Sequence, residues 1–360
     1  MLEDFTAAAR SMLSGAGSLA VLADFLAGRF GVQRDLADLV SVGQIPHATL
    51  SMGKGLFDES NPDFAGTYSG AASAKPTQAA VEGADVLISV GVRFTDGTTS
   101  GFSQQIDPGR TIDVQPFATR IGGREFAPLP MQDAVRALAA LLGALDRSWA
   151  RLDLPEQTEA GPQAPAELRQ AQLWPAVQRF LRPGDIVVAE TGSALFGAQA
   201  MRLPAGVTFI GQPLWASIGY TLPAALGAQL AAPGRRTILL IGDGAAQFTA
   251  QEIGTLLRED CAPIIVVINN DGYAIERALH GPEQSYNDIP RWNWALLPAA
   301  MSGEAVRTAH ASTLAEFTAA LDSFADPADL VLLEAILPKM DVPEALSALA
   351  RDLGHAGRLN

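Results

Sequence analysis

Cysteine is almost absent: Cys261 is the single one in 360 residues. That excludes a disulfide framework and a cysteine-built metal cluster. Lying beside a run of buried-strand character, Cys261 reads as a small core residue. Lysine is scarce too, with Lys54, Lys75 and Lys339 among 25 basic residues. We read that as coding bias rather than chemistry. The net charge is −14, so the positive field needed for nonspecific nucleic-acid binding is missing. No apolar run reaches the roughly 18 residues of a membrane span. The opening MLEDFTAAAR has acids where a secretory leader has bases. The expectation is a cytoplasmic chain with neither nucleic-acid nor membrane partners.

What is present is an ordinary globular balance, 48% apolar and 18% charged, in a chain long enough for two domains. The most informative stretch is GDGAAQFTAQEIGTLLREDCAPIIVVINN, Gly242 to Asn270. Thr237–Ile241 before it is an apolar run of strand length. Thr249–Arg258 has helical spacing, with Ile253, Leu256 and Leu257 on one side. Pro263–Ile268 is a second buried-strand run, so the stretch is predicted to be a strand–helix–strand unit. Asp243 and Asn270 then stand at the carboxyl ends of two parallel strands, where open α/β sheets bind ligands. A carboxylate and an amide oxygen suit a hard cation such as Mg²⁺, which protein groups share with substrate phosphates. Gly242 and Gly244 let backbone approach a diphosphate, and a helix N-terminus supplies N–H donors.

Before Trp149, strands predicted at Ser18–Leu22, His47–Ser51, Asp85–Val92 and Thr111–Gln115 alternate with helices at Leu2–Leu13, near Gln78–Gly83 and at Met131–Leu145. Asp24 is the expected cap of a further short helix. Gly15–Ala20 matches G-x-G-x-x-A, but it precedes a strand, whereas a dinucleotide fingerprint must follow one. Thr49–Ser73 is Gly- and Ser-rich and longer than an ordinary loop. Lys54, Asp58, Arg93 and Asp96 are read as loop caps and surface charge. Arg151–Gln170, rich in Pro, Glu, Gln and Ala, reads as a linker. After it, the expected strands are Asp185–Glu190, Val207–Gly211 and Leu330–Leu337. Gly219–Gly227 is a small-residue helix expected to pack closely, and Asp341–Leu353 a terminal helix. Thr191-Gly192-Ser193 follows a strand with groups that can donate to phosphate oxygens. The fold class is therefore α/β, with two Rossmann-like parallel-sheet domains: 1–150, a linker at 151–170, and 171–360.

GDG, 24 residues, then NN on this frame resembles the cofactor signature of thiamine diphosphate-dependent enzymes. The text NNDGYAIERALHGPEQSYNDIPRWNW is similar to the 2-oxo-acid decarboxylases, nearest the indolepyruvate decarboxylases. Thr49–Ser73 and Val90–Phe102 resemble the central domain of those enzymes. The resemblance implies thiamine diphosphate and Mg²⁺ as cofactors. It implies Asp243, Asn270 and the carbonyl of Gly272 as metal ligands, with Gly244 and Ala245 offering backbone to the diphosphate. Thr191 and Ser193 match a Thr-Gly-Thr segment near the diphosphate and substrate. Trp215-Ala216-Ser217-Ile218 looks like a W-G-S-I segment whose backbone holds the aminopyrimidine, with Ile218 bending the cofactor. Glu276 matches the catalytic glutamate; in an apolar pocket it would be protonated near neutrality. Ile275 would line the same pocket. His280 and Trp292 fall in the same text and are read as structural. Leu195 stands where relatives often carry a smaller residue and is expected to narrow the substrate space.

The implied reaction is non-oxidative loss of carbon dioxide from a 2-oxo acid, with indole-3-pyruvate giving indole-3-acetaldehyde as the leading case. Pyruvate and phenylpyruvate are the alternatives. Full-length relatives begin with a further, pyrimidine-binding domain that supplies another glutamate, an aspartate and histidines. His47, His280, His310 and His355 include no adjacent pair that could stand in. The expectation is half of an active site in a dimer or tetramer, completed by a missing segment or a separate chain. A truncated product, a subunit of a split enzyme and a non-catalytic cofactor-binding module all satisfy this.

Overall fold

The computed structural model describes residues 1–145, 149 and 167–356. Most of the proposed linker, 151–166, lies outside the described residues. The chain divides into two compact units, Met1–Gln157 and Thr158–Asn360. Both are α/β, as the alternation of strand and helix signals requires. No helix among the described residues is long and apolar enough to cross a membrane.

The first unit carries β1 (Leu19–Ala23), β2 (His47–Thr49), β3 (Phe64–Thr67), β4 (Val86–Val90), β5 (Thr111–Val114), β6 (Thr119–Ile121) and β7 (Arg124–Phe126). They form one sheet in the order β3-β2-β1-β4-β5-β6-β7. The first five strands are parallel, and β6 and β7 add antiparallel pairs. The domain is thus not wholly parallel as expected, because a hairpin around Gly122-Gly123 finishes the edge. Thr49–Ser73 is corrected from a loop to a segment containing β3. The helices are α1 (Leu2–Ser14), α2 (Phe25–Arg29), α3 (Gln33–Ser41), α4 (Lys75–Glu82) and α5 (Met131–Ala144). Residues of α1, α3 and α5 bury Ile88, Ile112 and Val114 on one face, while α4 packs against Ala20, Leu22 and Ala48 on the other. Gly15 ends α1 and β1 starts at Leu19, so the glycine pair lies outside any phosphate-binding strand–helix turn. Lys54 is not surface charge: it is buried and bonded to buried Glu59 at 2.9 Å.

The second unit carries β8 (Ile186–Ala189), β9 (Thr208–Ile210), β10 (Thr237–Gly242), β11 (Ile264–Asn269), β12 (Arg307–Ala311) and β13 (Val331–Ile336). Their order is β12-β13-β11-β10-β8-β9, parallel throughout. The helices are α6 (Gln170–Phe180), α7 (Ser193–Gln199), α8 (Thr221–Ala231), α9 (Asp243–Thr249), α10 (Glu252–Arg258), α11 (Ala274–His280), α12 (Leu297–Ser302), α13 (Leu314–Ser323) and α14 (Glu344–Ala356). Two apolar clusters cover the two sheet faces, which is why TILLI and PIIVVI carry no polar alternation. The helix expected at Thr249–Arg258 is α10, Glu252–Arg258, and a further helix, α9, precedes it, starting directly at Asp243. Gly227 on α8 is exposed with nothing near its missing Cβ, so close packing does not explain it.

Asp24 ends β1 and takes the N-cap position of α2 without a side-chain capping bond. It is 1% exposed, its Oδ1 has no hydrogen-bond partner, and burial pushes its carboxyl up to about 7. A raised folded-state value means stability that is full below the ordinary carboxylate range and lost as pH rises through about 7. Asp24→Asn removes this contribution. Urea unfolding at about pH 5 and about pH 8 will show a smaller loss of stability in the variant, by a few kcal/mol at most.

Candidate functional site

Because β8, β10 and β11 are neighbours, their carboxyl ends bring Glu190, Asp243 and Asn270 together. Asp243 is the pivot. It is 3% exposed, its Oδ1 accepts the Gly244 N–H at 2.9 Å, and its Oδ2 accepts the Gly272 N–H at 3.0 Å. One carboxylate thereby ties the start of α9 to the turn after β11. Burial pushes it up to about 7. Asn270 is 4% exposed, and its side-chain amide has no hydrogen-bond partner among the described residues. It lines a cavity of about 40 Å³, with Asp243 and Gly272 also in the wall.

The same cavity is lined by Gly242, Gly244, Ala245, Thr191, Ser193, Ile218 and Ile275. Two of these differ from expectation in what they offer. Thr191 spends its donors inside the protein, the N–H on Glu190 Oε1 at 2.9 Å and the hydroxyl on the Gln212 carbonyl at 3.0 Å. Gly244 likewise spends its N–H on Asp243. Ser193, by contrast, has a hydroxyl with no partner among the described residues, and Ala245 sits in the first turn of α9 with no intrahelical acceptor for its N–H. Gly244 is required for another reason: a Cβ there would come 2.5 Å from the Tyr273 ring. Gly272 has φ +122°, and a Cβ would collide with the Asn287 carbonyl oxygen.

Trp215 and Ala216 are not brought to the cavity. Trp215 is 86% exposed, and Ala216 holds a φ of +52°. Their N–H groups both donate to Gln212 Oε1 at 3.1 Å. Glu276 is not in an apolar pocket of this chain either. Its carboxylate is 41% exposed and bonds His280 Nδ1 at 2.7 Å, one helical turn on. His280 therefore contacts the glutamate rather than the core. Leu195 is 1% exposed in the core between α6, α7 and the sheet, away from the cavity. It does not narrow this space. Trp292 stacks on buried Trp294 with centroids 5.4 Å apart.

Three residues that composition and motif spacing did not single out organise the site. Glu190, 1% exposed, accepts the N–H groups of Gly219 at 3.0 Å and Thr221 at 3.3 Å, and the Thr221 hydroxyl at 2.8 Å. It fixes the loop that presents Ile218, and burial raises its carboxyl. Arg277, with a fully buried side chain, donates to the carbonyls of Asn270, Asp271 and Asn287 and to Asp288. It holds the turn after β11 in place. Gln212 shapes the Trp215 loop. Glu190 acts through bonds to residues about thirty positions away, Arg277 through bonds within its own turn and to Asn287 and Asp288, and Gln212 through bonds three and four residues on.

The donor set fits a hard cation: a carboxylate, an amide oxygen and a backbone carbonyl, all oxygen. Among the described residues, no three His, Cys, Asp or Glu side chains gather as a self-sufficient metal site. The cation would need further oxygens from a ligand, which a diphosphate supplies. The cavity has room for about three water-sized groups, not for a two-ring cofactor. Fold and site thus define an α/β protein with an oxygen-lined cavity at the strand ends, of a chemistry that suits a cation and a diphosphate.

The comparisons agree. The central domain of thiamine pyrophosphate enzymes matches residues 6–142, and their C-terminal TPP binding domain matches residues 190–335. The chain belongs to the thiamine pyrophosphate enzymes. It is 47% identical over 356 residues to the alpha-keto-acid decarboxylase of Mycobacterium ulcerans strain Agy99, covering 98% of this chain and 62% of that protein. For the proteins of that name in Mycolicibacterium paratuberculosis and Mycobacterium tuberculosis H37Rv, identity is again 47%, over 99% and 97% of this chain and 64% and 62% of theirs. The chain spans somewhat over three-fifths of the length of these relatives.

Gly272→Ala forces both the positive φ and the Asn287 collision, and will cost several kcal/mol of stability. Gly227→Ala, on an exposed helix face, will be neutral or stabilising by up to about 1 kcal/mol. Thermal unfolding of the two variants side by side measures the contrast.

Proposed function

We propose that this chain is the diphosphate-binding half of a Mg²⁺- and thiamine diphosphate-dependent 2-oxo-acid decarboxylase. The observation that carries the reading is the convergence of Asp243, Asn270 and Gly272 on one cavity, in a chain 47% identical to alpha-keto-acid decarboxylases. Asp243, the Asn270 amide oxygen and the Gly272 carbonyl hold Mg²⁺. The Ser193 hydroxyl and the Ala245 N–H face the diphosphate. Thiamine diphosphate, when bound, supplies the electron sink that lets a 2-oxo acid lose carbon dioxide. Ile218 and Ile275 give the cavity apolar walls that exclude water from the ligand. Glu276, hydrogen-bonded to His280, is the proton donor, the imidazole holding the carboxyl in one orientation.

The substrate we favour is indole-3-pyruvate, with pyruvate and phenylpyruvate as alternatives. The rest of the site comes from a pyrimidine-binding domain, in a further segment or a separate chain, and the working form is a dimer or tetramer. Support comes from the small cavity, which leaves most of a two-ring cofactor outside it. The exposed Trp215 and Phe248, on and beside the loop that carries Ile218, give such a domain an apolar surface to cover.

Calorimetry tests the cofactor reading. Thiamine diphosphate will bind only with Mg²⁺, and undetectable binding overturns the proposal. Asn270→Ala removes a ligand atom without breaking an internal hydrogen bond, so affinity will fall at least about tenfold at an unchanged unfolding midpoint. Asp243 holds a proton below about 7 until a cation displaces it. Affinity will therefore rise with pH up to about 7 and then level off, with proton release in the acid limb.

A second assay follows carbon dioxide from indole-3-pyruvate. The isolated chain will be inactive, and adding a pyrimidine-binding domain will restore turnover. Activity without it refutes the need for a partner. Inactivity despite cofactor binding and added partner favours a non-catalytic module. A carbon–carbon coupled product in place of an aldehyde means carboligation.

A further inference from the structure

The sheet of the first unit is covered unequally. On the face opposite α5, helix α4 packs mainly on β1, β2 and β3. On that face the β4–β5 connection supplies the second wall of a cavity of about 380 Å³. That is within the range of about 300–1,000 Å³ typical of small-molecule sites.

Its floor is set by strand register. Ser89 pairs with Asp113, and Asp113 with Arg120, so a polar row crosses three strands on the cavity side. Ser89 Oγ donates to Asp113 Oδ1 at 3.3 Å, and Gln115 Nε2 donates to the same oxygen at 2.8 Å. Oδ2 accepts no hydrogen bond among the described residues. The Arg120 guanidinium, also on the cavity wall, is paired with Glu125, at 2.8 Å from Nε, and forms no ion pair with Asp113 among the described residues. The connection contributes Gln104, whose Oε1 is buried without a hydrogen-bond partner. Leu87, Val92, Phe94 and Ile106 supply apolar wall.

Two acceptors are thus left over in a largely apolar space: the free oxygen of a carboxylate and a buried amide oxygen. The buried Gln104 oxygen is costly without a donor, and the Asp113 carboxylate, open to the cavity, selects a cation. We propose that this cavity binds a small organic ammonium ion with an aromatic or branched apolar body. The ammonium donates to Asp113 Oδ2 and Gln104 Oε1, and the body packs on Leu87, Val92, Phe94 and Ile106. An anion of the same shape would face Asp113 and be rejected. A neutral alcohol offers a single donor for two acceptors.

The test uses the full chain with labelled methyl groups and three probes sharing one ring: 2-phenylethylamine, 2-phenylethanol and phenylacetate. The amine will shift the methyl resonances of Leu87, Val92 and Ile106 saturably, at least about tenfold more tightly than the alcohol. Phenylacetate will leave them unmoved. Asp113→Asn will abolish the preference for the amine. Gln104→Leu will weaken the amine severalfold, and it breaks no hydrogen bond among the described residues, so it serves if the Asp113 variant fails to fold. Equal binding of alcohol or acid, shifts indifferent to the Gln104 substitution, or no saturable shift with the amine would each overturn the proposal.

Discussion

One buried carboxylate holds the second unit's ligand site in shape. Asp243 accepts an N–H from each of two strand ends, fixing the spacing between the start of α9 and the turn after β11. The arrangement costs the protein a charge kept out of water, as its raised carboxyl records. A divalent cation would offset that cost, since it favours the ionised form. Glu190 and Arg277 repeat the theme, each a buried charged group that gathers backbone from distant turns. Gly244 and Gly272 stand where the backbone of this site must pass a side chain and a carbonyl.

Much of this fold was legible in the sequence because its central strands are buried on both faces. TILLI, PIIVVI and DVLISV could be placed to within a residue or two. What escaped were the elements with weak periodicity. β12, Arg307–Ala311, is a half-exposed edge strand whose RTAHA carries little apolar signal. β6 and β7 have three residues each and are defined by the hairpin between them, not by composition. α7 and α11 are too short for a helical period to declare itself. The helix expected from Thr249 is preceded by α9, which starts at the strand end itself, at Asp243, and is too short to show a period.

The site was legible to the extent that it is built of backbone-adjacent motifs. Gly242 to Ala245 and Asn270 to Gly272 lie in one cavity because the strand–helix–strand unit leaves them nowhere else to go. The second tier was not legible, because the bonds of Glu190 to Gly219 and Thr221 join residues that only the fold brings together. Motif text left side-chain surroundings open: in this chain Glu276 faces a histidine and solvent, and Leu195 the core. A match of letters fixes position along the chain but not which neighbours surround a side chain.

The grip of Glu190 on Gly219 and Thr221 has a kinetic meaning. The loop bearing Ile218 is ordered when the chain folds, so its conformational entropy is lost before any ligand arrives. Association then needs no loop closure and can run near the encounter rate. Loosening the clamp would shift that entropy loss to the binding step. A residue that touches no ligand would then set how quickly one is captured, and its influence would show in the association rate rather than in any contact.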